Sequence, residues 1–122
     1  MGRLMTREPL GWKIEFFATV RGKSPVLEYV DGLQARERAK VYYHLRLLRQ
    51  FGINLREPHA RPLEGHKPLW ELKPGPIRLF YFAHKERRFI ILHAFRKKGQ
   101  KAPRRYIETA ERRMAEFLEG EK

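Results

Sequence analysis

Cysteine is absent from the 122 residues. That excludes disulfides, thiolate metal sites and cysteine nucleophiles, and it suits a reducing compartment. No apolar stretch approaches the ~20 residues needed to cross a bilayer, so no membrane partner is expected. Residues 1–11 read as an N-terminal arm without the apolar h-region of a secretory signal; a cytoplasmic location is the expectation. Acids are scarce: 14 Asp and Glu stand against 27 Lys and Arg, a net charge of +13. An excess of that size points to a polyanionic partner, such as nucleic acid or an acidic protein. His44, His59, His66 and His84 show no metal-ligand spacing, and no carboxylate pair or nucleophile triad stands out. No metal and no cofactor is expected.

What remains is an ordinary globular composition, 42% hydrophobic and 34% charged, on a chain whose length fits a single domain over residues 1–122. "WKIEFFATV" from Trp12 to Val20 is aromatic and β-branched and reads as a strand. Ser24-Pro25 supplies a helix cap followed by proline at the first helical position, and Val26, Val30 and Leu33 continue at helical spacing. "ARERAKVYYHLRLLRQFG" is a second helix striped by Val41, Leu45 and Leu48, with Gly52 as its stop. The sixteen residues "INLREPHARPLEGHKP" read as a long loop. "LWELK", "IRLFYFAH" and "RFIILHAFRK" are three consecutive strands, the first two joined by a Pro74-Gly75 type II turn. Ala102-Pro103 opens a last helix with Ile107, Ala110, Met114 and Phe117 on one stripe. The expected fold is α+β. A small antiparallel sheet, made of the N-terminal strand and a three-stranded meander, carries two N-terminal helices and one C-terminal helix on one face, in two layers.

Charge concentrates where the last strand ends. From His84 to Arg105 there are nine Lys or Arg and a single acid, Glu86. The run falls at element junctions rather than along one solvated helix face.

The string "PLWELKPGPIRLFYFAHKERRFIILHAFRKKGQKAPRRYIETAERR" resembles the RelE/HigB toxins of type II toxin–antitoxin systems, closest to the phage-derived Gp49-like branch. The "LWELKPGPIRLFYF" hairpin with its single Arg78, the "HAFRKKGQKAP" strand end and the "ETAERR" helix carry the likeness, which extends over nearly the whole chain from Trp12. It implies a RelE-like fold and a metal-independent mRNA endonuclease that acts on the ribosome and inhibits translation. It also implies neutralisation by a cognate antitoxin, of the helix-turn-helix HigA-like kind. A non-catalytic basic module that binds RNA or the ribosome is the alternative.

Cleavage by attack of a 2′-hydroxyl needs a base, an acid and charge stabilisation at the phosphate. Arg78 lies among apolar strand residues. Either its stem covers the core or its planar fork stabilises the phosphate, as the resemblance implies. Lys97, Lys98 and Lys101 read as phosphate contacts or, for one of them, as the base. His93 shares strand parity with Phe95 and is either a satisfied core residue or an acid/base group. Arg96, Arg104, Arg105 and Lys73 complete the expected RNA-binding surface. Tyr81, Phe95 and Trp70 are core residues or stacking platforms, and Glu71 is an acid placed to orient a cation.

Overall fold

The computed structural model describes residues 11–122; the arm read over residues 1–11 lies outside the described residues up to residue 10. Two helices, one short and one long, follow the first strand, β1 (Lys13–Phe16). The Ser24 hydroxyl accepts the Leu27 amide at 3.4 Å and Pro25 occupies the first turn, so the cap read from the sequence starts α1 (Pro25–Asp31). Helix α2 (Ala35–Phe51) ends at Gly52, which takes φ +60°. Glycine is required there twice over. The dihedral is left-handed, and a Cβ would lie 2.4 Å from Nε1 of Trp12. Trp12 in turn stacks on Phe89 at 4.3 Å and donates its amide to the Arg49 carbonyl, docking the start of the sheet against the end of α2.

Four more strands follow: β2 (Ala60–Pro62), β3 (Trp70–Leu72), β4 (Ile77–His84) and β5 (Arg88–Arg96). Their order across the sheet is β1-β5-β4-β3-β2. This corrects the expected sheet in two ways. It has five strands, because the proline-rich loop contains β2, which pairs Ala60 with Leu72 and Pro62 with Trp70. A three-residue edge strand tolerates its proline but is too short to show periodicity. The sheet is also mixed, because β1 runs parallel to β5, with Lys13 opposite Arg88 and Phe16 opposite Ile91. The turn before β4 is shifted by one residue from the expected type II. The Ile77 amide bonds the Pro74 carbonyl at 3.1 Å, and Gly75, at φ +62°, is the first central residue, as in the primed turns.

The layering is a further correction. Helices α1 and α2 pack Val26, Val30, Val41, Leu45 and Leu48 onto Leu72, Ile77, Leu79, Tyr81 and Ile91. Helix α3 (Arg104–Gly120) covers the opposite face, with Ile107, Ala110, Met114 and Phe117 against Phe80, Phe82, Ile90, Leu92 and Phe95. The sheet is therefore the middle of three layers. The physical reason lies in β4 and β5, whose apolar residues point both ways, so both faces must be covered.

Candidate functional site

The β4–β5 ladder sets Arg78 opposite Phe95 and continues one step beyond the strands, where the Lys97 amide donates to the Pro76 carbonyl at 2.8 Å. The exposed loop carrying Lys97, Lys98 and Lys101 thus springs from beside Arg78. Alternation along β4 turns Arg78 to the α3 side, with Phe80. Its side chain is only 11% exposed. Nη1 donates to the carbonyls of Gly75 and Ile77, which ties the guanidinium to its own hairpin. Nε is buried without a hydrogen-bond partner and lies 3.7 Å from Glu71 Oε2. Burial lowers the Arg78 pKa from its ordinary value and the Glu71 charge opposes that shift; an arginine stays charged throughout.

Glu71 holds two cations rather than one. Its side chain is 4% exposed, and Oε1 accepts a hydrogen bond from Arg61 Nε at 2.9 Å. Strand pairing makes the arrangement: Arg61 lies opposite Glu71, and Glu71 opposite Phe80. A row Arg61–Glu71–Arg78 therefore crosses β2, β3 and β4 on the α3 side. Sequence reasoning missed Arg61. It sits in the proline-rich stretch without periodicity, and it meets Glu71, ten residues on, only through the unread strand β2.

The other expected site residues scatter. Arg96 points to the α1/α2 side, where its two terminal nitrogens meet both oxygens of Glu37 at 2.8 and 2.7 Å. Lys73 is ion-paired with Glu57. Arg104 and Arg105 are exposed in the first turn of α3, with the Arg105 guanidinium 4.6 Å over the Tyr106 ring. Tyr81 and Phe95 are buried on opposite faces of the sheet. Tyr81 and Trp70 line an apolar cavity of about 430 Å³ on the face away from Arg78. Burial pushes the Tyr81 hydroxyl well above its ordinary pKa.

His93 is enclosed under α3. The register passes from Phe80–His93 to Tyr81–Ile91, leaving Leu92 as the extra residue of a bulge, so Leu92 and His93 both face that helix. The His93 ring lies 5.8 Å from Phe95 and 5.0 Å from Tyr106, and its Nδ1 is 3.3 Å from Arg113 Nη1. Arginine only donates, so Nδ1 is the acceptor and the proton is on Nε2. Nε2 is buried without a hydrogen-bond partner. Burial, then the charges of Arg113 and Arg112, bring the His93 pKa down to about 4. The ring is neutral at pH 7 and its lone pair is engaged, which suits neither proton donor nor base. His44, also buried, contacts His59 at 3.3 Å and is lowered first by burial. Among the described residues no group of three histidine or acidic side chains is placed to hold a metal.

The depressed histidines give a signed prediction. The unfolded chain binds a proton at His93 near pH 6.5, whereas the folded chain does so only near 4. Acid therefore favours the unfolded state, and stability should fall as pH drops from about 6.5 to about 4, with His44 adding in the same direction. His93→Phe should flatten part of that slope. A melting temperature that falls as steeply with acid in His93→Phe as in the parent would remove His93 as its source.

Comparison with known proteins follows this geometry. The family described as phage derived protein Gp49-like matches residues 28–115. The archaeal RelE–RelB complex from Pyrococcus horikoshii OT3 contains a chain of similar fold. Its TM-score is 0.58 at 17% identity, covering 75% of this chain and 100% of that one. The toxin–antitoxin complex RelBE2 from Mycobacterium tuberculosis gives 0.55 at 16% identity, covering 72% and 100%. At these identities the structural likeness is one of fold. No curated protein matches.

Proposed function

The chain belongs to the phage-derived Gp49-like family, a RelE/HigB-type toxin family, and from that premise we propose that it is the toxin of a type II toxin–antitoxin system. In this reading it is an endoribonuclease that cuts mRNA on the ribosome, in the cytoplasm, and is held inactive by a cognate antitoxin. The observation that carries the reading is the adjacency of Arg78 to the loop of Lys97, Lys98 and Lys101, set by the Lys97–Pro76 hydrogen bond. When a 2′-oxygen attacks the neighbouring phosphorus and the 5′-oxygen leaves, negative charge grows on the phosphate. Arg78 is the cation for that charge, and the loop lysines hold the flanking phosphates; one of them is the candidate to take the 2′-hydroxyl proton, and a neighbouring one, as an ammonium, to give a proton to the leaving 5′-oxygen. Arg104 and Arg105 support the reading. Cations in the first turn of a helix oppose its macrodipole, and a bound anion offsets that cost. In this reading His93, enclosed under α3, is assigned no proton transfer.

The burial of Arg78 favours a second reading, in which the guanidinium is a hairpin brace and the chain binds RNA without cutting it. Expression of the chain alone distinguishes the two. Growth and translation should stop, and primer extension on a translated message should show new 5′ ends within codons. Normal growth with intact messages would leave the binding module.

A further inference from the structure

We propose that the groove between β2 and the start of α3 is a binding site for single-stranded RNA, in which Arg61 grips a backbone phosphate and the buried Glu71 sets its orientation. The identity of the anion rests on the nuclease reading above; the site itself rests on geometry. The groove encloses about 670 Å³. Arg61 stands on one wall, Lys101 and Gln100 on the other, and Glu71 contributes to the lining between them. His66 and Glu111 of α3, 3.1 Å apart, tie the two walls together.

Arg61 differs from the other groove cation in being held. Its Nε is given to Glu71, yet its side chain remains 45% exposed. A guanidinium fixed through Nε keeps its planar fork for a second partner, and that fork matches two phosphate oxygens. Glu71 cannot serve as a counter-charge for both of its neighbours. With Arg61 on one oxygen and Arg78 facing the other, the row itself keeps one net positive charge; Glu57, which also feels both arginines, is ion-paired with Lys73. The exposed lining acid, Glu64, faces solvent and is screened there.

The rest of the lining suits a nucleotide. The Gln100 amide both donates and accepts, as a base edge does. Leu63 and Ile107 provide apolar surface for the face of a base. Glu71 also links the groove to Arg78, and Lys101 belongs both to the groove and to the lysine loop. Arg61 is thus a binding residue, and Glu71, acting through it, a positioning residue.

The test is fluorescence anisotropy of the full chain with a labelled hexaribonucleotide of mixed sequence at fixed salt. Arg61→Ala should weaken binding about tenfold or more, the size of a charge-assisted pair. Arg36→Ala removes the same charge from an exposed position on α2, the far side of the sheet, and should change affinity less than threefold. Glu71→Gln should weaken binding in the parent but add nothing in the Arg61→Ala background; a merely structural role would lower affinity in both. Arg61→Ala binding as tightly as Arg36→Ala overturns the proposal. So does hexaglutamate that binds as tightly as the oligonucleotide and loses as much in Arg61→Ala. A chain that binds RNA through Arg61 yet leaves translated messages intact supports the groove and removes the nuclease reading. A chain that cuts messages while Arg61→Ala binds like Arg36→Ala keeps the nuclease and overturns the groove.

Discussion

Arg78→Ala is expected to slow single-turnover cleavage of a message on programmed ribosomes by roughly 100-fold or more, the usual cost of removing one donor to developing charge. Affinity for the ribosome should change far less, because the exposed lysine loop is untouched. Arg78→Lys keeps the charge and loses the planar fork, so it should not restore the rate. The arginine also braces its hairpin through the Gly75 and Ile77 carbonyls. The melting temperature must therefore be read beside the rate. Glu71 retains Arg61 as a partner in the variant, which limits the penalty of a stranded buried carboxylate. A stable Arg78→Ala protein that cleaves at the parent rate would reduce the arginine to a brace.

Phe80→Ala should be the costliest single truncation in the fold. Phe80 is fully buried in β4, one of the inner strands, and meets Phe95 edge to face at 5.1 Å. Losing a buried phenyl costs about 3–5 kcal/mol, against a typical total of about 5–15 kcal/mol. The urea midpoint should fall accordingly. Val20→Ala, at a fully exposed position, should stay within about 0.5 kcal/mol. Equal midpoints for the two variants would contradict the three-layer packing.

That packing is legible in the residues. "FYF" at 80–82 and "FIIL" at 89–92 are buried throughout, and a strand with no polar alternation is the mark of a sheet covered on both faces. A two-layer reading leaves one face of such strands in water. The caps and stripes of α1 and α2 are legible because they are local: Ser24-Pro25, the Val41–Leu45–Leu48 spacing and Gly52 each act within a few residues. The site was half legible for the same reason. Arg78 and the lysine loop announce themselves by composition. Arg61 becomes a neighbour of Glu71 only through a three-residue strand that propensity cannot find, and Arg96 is removed from the basic face by the parity of β5, which delivers it to Glu37.

The parallel seam between β1 and β5 sets a timetable for the nascent chain. Residues 13 and 88 are partners 75 positions apart, so at a synthesis rate of ~5–20 residues per second β1 waits roughly 4–15 s for its neighbour. Local contacts within and between α1 and α2 can form during that interval; the sheet edge cannot, because β5 has not yet been made. The basic loop and the first turn of α3 are made later still. The surface proposed to touch RNA is thus completed only after the partner of β1 has been made.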